Sequence, residues 1–418
     1  MPPAHIAIWS IFALSIACML LRPRNIPEVW WISAGAGSLV AFGLLPLRSA
    51  GHAIAQGTNV YLFLTGMMLI CELARRYGVF DWLAALAITH SDSSRARLLA
   101  LVYGVGAVVT IFMSNDATAV VLTPAVLAAV KKQKGDPLPY LFACAFVANA
   151  ASFVLPISNP ANLVVFQHGM PPLSEWVAMF AIPSVLAIAG TYALLHWRFR
   201  EELREAMDES SETAHLSATG KVTLASIFVM AAALLVASEL KMDLGLPAFA
   251  TAVAAATVLL LWQRTNPWHI AREISWSVLP LVAGLFMLVQ AVRLANALVW
   301  TEAALHTLEG WHPIPASLTA AFSIGIGTNL LNNLPLGLLM GEGVQATLIT
   351  GALRHAVLIA IDLGPNLSVT GSLATILWLI AIRKEGLDVS AWKFLKIGAL
   401  VMPPTLLLAA LTDHLIGR

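Results

Sequence analysis

Two short polar stretches interrupt long apolar runs, and they carry the side chains best suited to bind or move a solute. The first is Met113-Ser114-Asn115-Asp116-Ala117-Thr118, which lies between the apolar runs 98–112 and 119–130. Neither run crosses a bilayer comfortably alone, so the pair is predicted to enter as a hairpin with the polar triplet at its tip. A charge at membrane depth costs about 2.5–3.5 kcal/mol on insertion scales, so a carboxylate retained there indicates a function.

The second stretch is Thr328-Asn329-Leu330-Leu331-Asn332-Asn333-Leu334-Pro335, and it separates the apolar runs 316–327 and 336–340. Interrupted hydrophobic segments at corresponding positions of two halves are the best sequence indication of a transporter's binding site. The two stretches together therefore predict a transport site to which both halves of the chain contribute.

The composition places these stretches in a membrane. The chain has 418 residues, of which 59% are hydrophobic and 11% charged, and its mean hydropathy is +0.80. Ordinary soluble domains carry about 25% charged residues. We therefore expect an integral membrane protein with room for about ten to twelve helical spans.

Two longer apolar segments are broken by polar residues and proline. The first broken span, about 138–166, is interrupted at 156–162, where Pro156 and Pro160 each remove a backbone donor. A helix should unwind at such a point and leave polar groups free to face a site. The second broken span, about 346–382, is interrupted at 362–372.

The spans repeat in the same order in two halves. Each half contains three spans with a short interfacial piece, then a re-entrant hairpin, a broken span and a final span. The predicted fold is thus an all-α polytopic membrane protein of two inverted repeats, each with five crossings and one hairpin. The predicted divisions are 1–197 for the first repeat, 198–220 for a hydrophilic linker, 221–418 for the second repeat, and about 97–131 and 315–342 for the hairpins.

The distribution of basic residues predicts the orientation. Of the 24 Lys and Arg residues, this layout puts most on the face that carries the linker. Positive charge in short loops marks the cytoplasmic side, so the linker is predicted to be cytoplasmic and both termini outside. The basic residues predicted on the opposite face are Arg48, Lys241, Arg293, Arg354 and Arg418.

The polar motifs resemble those of a known family. Ser114-Asn115-Asp116, the Ser158-Asn159 break, Asn332-Asn333-Leu334-Pro335 and the segment 362–375 are similar to motifs of the ArsB-type arsenite efflux permeases. These belong to a wider ion-transporter superfamily that includes NhaD-type antiporters and dicarboxylate carriers. The resemblance covers nearly the whole chain, although Pro160 and Leu334 depart from the usual pattern.

The resemblance implies a function and its partners. It implies export of trivalent arsenic or antimony hydroxide across the inner (plasma) membrane in exchange for protons, with a cytoplasmic energising ATPase as a partner in some members. No cofactor and no nucleic acid is implied.

The candidate site residues follow from the chemistry of that solute. At neutral pH it is an uncharged trihydroxide, so its site needs amides, hydroxyls and carbonyls more than a cation. Burial favours the protonated form of a carboxyl group, so protonation and solute binding can exclude each other at Asp116 or Asp362, the proton-coupling candidates. The predicted substrate-binding residues are Ser114, Asn115, Ser158, Asn159, Asn332, Asn333, Ser368 and Thr370.

Structural interpretations of the same residues remain open. Asp116 can act as a cap for the helix that follows it, Asp362 can be a structural residue at a break, and the two asparagines at 332–333 can simply satisfy broken backbone. Glu72 lies close to Arg75 at the end of a span, so a structural ion pair is the preferred interpretation there.

Other function classes fit the sequence less well. An enzyme needs a nucleophile with a base, a metal cluster or a phosphate loop, and none is present at useful spacing. Cys18, Cys71 and Cys144 lie in apolar stretches far apart and are interpreted as small core residues rather than metal ligands. Within transport, a sodium/proton antiporter or a small-anion carrier stays as the alternative, because fold does not fix function.

Overall fold

The computed structural model describes residues 2–133, 135–167, 169–204 and 215–415, and they form helices joined by short connections. Lys134, Arg418 and part of the predicted linker, 205–214, lie outside the described residues. The helices of the first half are α1 (Pro3–Leu21), α2 (Glu28–Ala41), α3 (Leu47–Gln56), α4 (Thr58–Arg76), α5 (Val79–Thr89), α6 (Arg95–Met113), α7 (Asn115–Ala117), α8 (Thr123–Lys132), α9 (Leu138–Ala150), α10 (Pro160–Val165) and α11 (Leu173–Arg198).

The second half contains the remaining helices. They are α12 (Ala218–Glu239), α13 (Gly245–Gln263), α14 (Trp268–Glu273), α15 (Val278–Leu294), α16 (Ala297–Glu309), α17 (Pro313–Leu331), α18 (Asn333–Thr347), α19 (Gly351–Leu363), α20 (Leu373–Lys384), α21 (Ala391–Ala410) and α22 (Thr412–Leu415). A π-helical turn, Thr118–Leu122, joins α7 to α8. Short 3-10 turns occupy Pro23–Asn25, Pro156–Ser158 and Gly364–Leu367.

The surface and length of these helices are those of a multi-pass membrane protein, as predicted. Among the described residues, seven helices are long and apolar enough to cross a membrane, and two further pairs qualify as bent spans, with bends of 47° and 78°. Large apolar side chains face outward, such as Leu14 at 66% and Leu261 at 74% exposure. An apolar surface on this scale indicates contact with lipid.

The predicted hairpins are present, because the chain folds back at both tips. The Thr118 hydroxyl donates to the Gly106 carbonyl at 3.2 Å and lies 2.8 Å from the Thr110 hydroxyl. In a straight helix, twelve residues would separate Thr118 and Gly106 by about 18 Å. In the second hairpin, a Cβ atom placed at Gly327 would lie 3.0 Å from the Leu336 side chain.

The two halves use the same backbone device at corresponding places. The hairpin tips turn at Ser114 (φ 103°, ψ 158°) and Asn332 (φ 72°, ψ 152°). The helices that precede each hairpin, α5 and α16, both begin after a left-handed residue, Gly78 (φ 73°) and Asn296 (φ 66°). Positive φ is uncommon outside glycine, so its recurrence in the same order supports the repeat.

Long-range contacts assign the loops to two faces. Here the linker face is the one that carries residues 198–220, and the other is the opposite face. On the linker face, Arg75 contacts Glu273 at 3.4 Å and the Lys131 amine donates to the Glu385 carbonyl at 2.8 Å. On the opposite face, the Gly245 amide donates to the Asn59 side chain at 2.6 Å. Each contact joins residues that the predicted layout places on one face.

Several predicted boundaries need correction. The second hairpin was predicted to end near 342, but α18 continues to Thr347, whose hydroxyl donates to the Gly343 carbonyl at 2.8 Å. The second broken span consequently begins at Gly351 rather than near 346. Two short helices, α3 and α14, were not predicted, because neither forms a continuous apolar run of the kind that marks a span. The division into repeats at 197/198 and 220/221 stays a prediction.

The halves pack together where α10 meets α18. A Cβ atom at Gly341 would lie 2.7 Å from the Val165 carbonyl, so the two backbones touch. Glycine pairs spaced four apart, here Gly337 and Gly341, permit such close approach between membrane helices. This interface joins the broken span of the first half to the hairpin of the second.

A polar cluster closes the same interface on the opposite face. The Glu342 carboxylate, 8% exposed, pairs with Arg293 at 3.1 Å and accepts a hydrogen bond from the Gln167 side chain at 3.0 Å. Arg293, Glu342 and Gln167, called the latch below, thus tie α15 and α18 to the segment that follows α10.

Candidate functional site

The hairpin tips place two asparagines at the centre of the fold. Asn115 and Asn333 each follow the turned residue of their hairpin, and each is 2% exposed. The side-chain oxygen of each asparagine has no hydrogen-bond partner among the described residues. A buried acceptor without a partner is costly, so these two oxygens indicate a place where a hydrogen-bond donor binds.

Both asparagines line one small cavity between the halves. Its volume is about 10 Å³, which is room for about one water molecule. Asp116 is its only charged lining residue in the described part of the chain. The remaining lining residues are Leu64, Asn159, Pro160, Val278, Val282, Leu334, Leu373 and Ala374.

Four helical segments begin at this cavity. Asn115 and Asn333 are the first residues of α7 and α18, and Pro160 and Leu373 are the first residues of α10 and α20. The first N–H groups of a helix have no partner within the helix, and that end carries a partial positive charge. The helix starts therefore give the cavity a positive field, which the Asp116 carboxylate partly balances. The first N–H groups of α10 and α18 are already bonded to Asn159, Asn332 and Gly371, so the backbone donors come from α7 and α20.

A hydrogen bond between the halves lies behind the cavity wall. The Asn159 side chain caps α10 through the Ala161 amide at 3.0 Å and donates to the Asp362 carboxylate at 2.7 Å. Asp362 is fully buried, and its second oxygen, Oδ2, has no partner in the part of the chain that the structure describes. The hydrogen bond from Asn159 thus connects Asp362 to the cavity.

The other predicted site residues do not line the cavity; they hold the breaks in place. The Ser158 hydroxyl donates to the Ile111 carbonyl at 3.0 Å. Asn332 caps α18 through the Leu334 amide, and its side-chain nitrogen donates to the Thr370 carbonyl. Ser368 and Thr370 both donate to Asn329, at 2.7 and 3.0 Å, and Ser114 supplies the turn itself.

The structure distinguishes the open interpretations. The Asp116 side chain makes no capping hydrogen bond within the described chain, whereas Asn332 does satisfy broken backbone. Glu72 forms the expected ion pair with Arg75, at 2.7 Å. The three cysteines are free thiols, and none of them lines the cavity.

Sequence reasoning assigned no role to three asparagines that support the site: Asn149 and Asn366, which are buried, and Asn329, which is half-buried. Asn149 donates to Asn366 at 3.0 Å, and Asn329 donates to the Gly364 carbonyl at 3.0 Å. A signal was present for one of them. Asn149 stands one residue before the end of α9, as Asp362 stands one residue before the end of α19, and it is a lone amide in an apolar run.

A second cavity, of about 340 Å³, lies on the far side of α10. Leu163, Gln167 and Asn59 contribute to its lining, together with Asp243 and Lys241 from the loop before α13. Because Pro160 lines the first cavity and Leu163 the second, α10 forms the partition between them.

Comparison with known proteins places the chain among membrane transporters. A sequence model of the family described as CitMHS, citrate transporter, matches residues 10–364. The arsenical pump membrane protein of Yersinia enterocolitica is 26% identical over 421 residues, which cover 97% of this chain and 98% of that protein. Its counterpart in Escherichia coli (strain K12) is 26% identical over 424 residues, with the same coverage of 97% and 98%. The resemblance to the ArsB-type permeases is thereby confirmed.

A solved structure shows the same fold. The crystal structure of the Alcanivorax borkumensis YdaH transporter, described as having an unusual topology, matches with a TM-score of 0.56 at 14% identity. The match covers 88% of this chain and 87% of that one. At this identity the likeness concerns architecture and not the solute that is moved.

Proposed function

This chain belongs to the CitMHS citrate transporter family, and from that premise we propose that it exports the neutral trihydroxide of trivalent arsenic or antimony in exchange for protons. The observation that carries the proposal is the pair of unpartnered oxygens on Asn115 and Asn333 inside one cavity. The whole-length similarity to arsenical pump membrane proteins supports the choice of solute.

The groups that line the cavity suit a small neutral solute with several hydroxyl groups, although the cavity must widen beyond about 10 Å³ to admit it. Each hydroxyl can donate to an asparagine oxygen and can accept from the N–H groups at the start of α7 or α20. No lysine or arginine lines the cavity among the described residues, so an uncharged solute meets no unbalanced charge there beyond Asp116. Thiols, which would hold arsenic tightly and slow its release, are absent from the lining that the structure describes.

Coupling to protons is assigned to two carboxylates. Asp116 lies in the cavity wall, and Asp362 contacts the wall through Asn159. A solute bound beside an ionised carboxylate leaves when a proton takes its place, and this exchange moves one charge across the membrane. One charge is worth about 2.3 kcal/mol per 100 mV, enough for a solute gradient of about fiftyfold.

The orientation follows from the basic residues. With most Lys and Arg residues on the linker face, that face is cytoplasmic and both termini lie outside, in the inner (plasma) membrane. The solute then enters from the linker face. Val278, the first residue of α15, lines the cavity from that side, while the latch closes the opposite side.

The first test is uptake of arsenite into everted membrane vesicles under an imposed proton gradient, with no ATPase added. The wild-type protein is expected to accumulate arsenite, and Asp116→Asn is expected to lose gradient-dependent uptake at normal membrane levels. Asp92→Asn, which changes an exposed carboxylate paired with Arg97, is the matched control.

Three results would contradict parts of the proposal. Uptake that survives in Asp116→Asn assigns the coupling to Asp362. Uptake that appears only after a cytoplasmic ATPase is added contradicts direct proton exchange. If the intact protein takes up neither arsenite nor antimonite, the proposed solute is wrong.

A small-anion carrier is the second candidate, and a specific observation favours it. Four helix starts meet at the cavity, and such ends attract anions. Asp116 opposes this interpretation, because a carboxylate in the wall repels a second one. Citrate that competes with arsenite for uptake would support the anion carrier, and sodium-dependent proton release from the vesicles would support a sodium/proton antiporter.

A further inference from the structure

Two hydrogen bonds cross between the halves in the same way. Asn149 and Asp362 each stand one residue before the end of the first arm of a broken span, α9 and α19. The Asn159 side chain, which caps α10, donates to Asp362 at 2.7 Å. The Ser372 hydroxyl, which caps α20, lies 3.3 Å from the Asn149 oxygen and donates to it. The helix that follows each break is therefore held by the helix that precedes the break in the other half: α10 is held by α19, and α20 by α9.

The two hydrogen bonds between the halves differ in their acceptors, one an amide and the other a carboxyl group. Asn149 is an amide whose nitrogen donates to Asn366 at 3.0 Å, and Asn366 in turn donates to the Phe146 carbonyl at 3.1 Å. All of these groups are neutral at every physiological pH. Asp362 carries a carboxyl group, so its hydrogen bond with Asn159 is the one of the two that can gain or lose a proton. One oxygen of this carboxyl group has no partner among the described residues.

We propose that Asn149 is a positioning residue that holds the start of α20 at the cavity whatever the protonation state, so that proton binding at Asp362 releases α10 alone. The inference rests on the proposed proton coupling and adds which of the two half-helices responds to it. Asn149 touches neither the solute nor the cavity and acts through Ser372.

The physical reason is the strength of the two hydrogen bonds. A hydrogen bond to an ionised carboxylate is about twice as strong as one between neutral groups, so protonation of Asp362 weakens its bond with Asn159. Asn159 and Pro160 form one wall of the cavity, and that wall loosens. Leu373 and Ala374 form the wall at α20, where the Ser372 bond is unchanged. The cavity thus opens on the side of α10, the partition toward the second cavity.

Among the described residues, Asp362 is the titratable group that takes part in the two hydrogen bonds between the halves. In the described part of the chain, none of the titratable groups on the neighbouring helices forms a hydrogen bond or an ion pair with Asp362 or Asn149. Those groups are Arg354 and His355 on α19, Tyr140 and Cys144 on α9, Glu342 on α18, Glu175, Tyr192, His196 and Arg198 on α11, Arg383 and Lys384 on α20, Lys393 and Lys396 on α21, and Asp116 at the cavity.

The test introduces a carboxyl group at the other hydrogen bond between the halves, the one made by Asn149. In Asn149→Asp, the protonated acid can donate to Asn366 and accept from Ser372, as the amide does, so the fold is retained when the acid is protonated. Its ionised form loses the donor. The pH dependence of arsenite uptake into everted vesicles should therefore gain one further titrating group, and the limiting slope of log rate against pH should increase by about one relative to the wild type.

The swapped double variant sharpens the result. Asp362→Asn alone should lose proton-driven uptake by about tenfold or more, and Asn149→Asp combined with Asp362→Asn should recover part of it. Asn296→Asp, which makes the same chemical change at an exposed turn, should leave the pH profile as in the wild type.

Ser372→Ala keeps the test decisive if Asn149→Asp fails to fold. Loss of this neutral hydrogen bond should lower uptake about fivefold at every pH without moving the pH profile. A displaced profile in Ser372→Ala, or an unchanged slope in a folded Asn149→Asp, overturns the inference while proton coupling at Asp362 stands. Full proton-driven uptake in Asp362→Asn instead overturns the proposed coupling residue, and the inference falls with it.

Discussion

Asn115 and Asn333 are the residues to which the proposed function assigns recognition of an uncharged solute. Both residues stand at helix starts at the hairpin tips and line the same cavity, and their side-chain oxygens have no partner among the described residues. An amide is a suitable group here because it is neutral, so its burial costs less than that of an ion. The neighbouring Asp116 supplies the only titratable lining group that the structure describes.

Truncation of either amide should weaken solute binding. Asn115→Ala or Asn333→Ala removes one hydrogen-bond acceptor, so the apparent KM for arsenite uptake should rise about fivefold with little change in the amount of protein in the membrane. Asn266→Ala, which removes an exposed amide on the linker face, is the control. An unchanged KM in both cavity variants would show that these oxygens do not bind the solute.

Asn329 should matter for stability rather than for recognition. Its side chain donates to the carbonyls of Gly325 and Gly364 and accepts from Ser368. Asn329→Ala leaves these groups without their partner, at a cost of about 1–3 kcal/mol for each buried group. A clear fall in the thermal unfolding temperature of the detergent-solubilised protein is expected. If stability is retained while KM rises, Asn329 belongs to the binding site.

At the scale of elements, the sequence predicted the hairpins and the breaks because each leaves a local mark. Asp116, Asn332 and Pro160 are residues that an uninterrupted membrane helix avoids, so their positions locate the tips and one break. The contacts of Asn159 with Asp362 and of Asn149 with Asn366 leave no such mark. Each joins residues more than two hundred positions apart, and helices that are apolar on all sides give no period to indicate which face is inward.

The roles of the predicted polar residues were harder to predict than their positions. Ser158, Ser368 and Thr370 were expected to bind the solute, yet their hydroxyls are used by neighbouring backbone and by Asn329. A hydroxyl near a break can serve the broken backbone or the site. Only the packed structure decides between the two uses.

The contact between α10 and α18 should be sensitive to a single methyl group. Gly341→Ala places a Cβ atom 2.7 Å from the Val165 carbonyl, so the helices must separate. We expect a loss of thermal stability of about 1–3 kcal/mol. Gly51→Ala is the matched control, because nothing lies within 4 Å of a Cβ atom at that helical position. Equal stability of the two variants would show that the interface can relax.

At the scale of the whole molecule, the latch joins separate elements on the opposite face. Arg293, Glu342 and Gln167 join two elements of the second half to the end of α10 on the opposite face. The corresponding region of the linker face carries Arg75, whose partner Glu72 lies in the same helix. The opposite face is therefore tied across elements, and so is the linker face, through the contact of Arg75 with Glu273 and the hydrogen bond from Lys131 to the Glu385 carbonyl.

Removal of the latch charge should open the opposite face. In a cysteine-free background, Leu163→Cys reports on the partition, since Leu163 is 2% exposed and lines the second cavity. Glu342→Gln removes the ion pair with Arg293, and labelling by a membrane-impermeant thiol reagent should become about tenfold faster. Asp388→Asn, which breaks an exposed pair with Arg383, should leave the labelling rate unchanged. Equal labelling rates in the two variants would show that the latch does not close the opposite face.

The small size of the central cavity also bears on how a cell can tolerate this protein. A space of about 10 Å³ holds no continuous column of water between the two faces. Protons and salt ions need such a column, or a chain of titratable groups, to pass through a protein. We therefore expect the central cavity in this conformation to offer ions no aqueous path, so that many copies can stay in the membrane without lowering the membrane voltage through it.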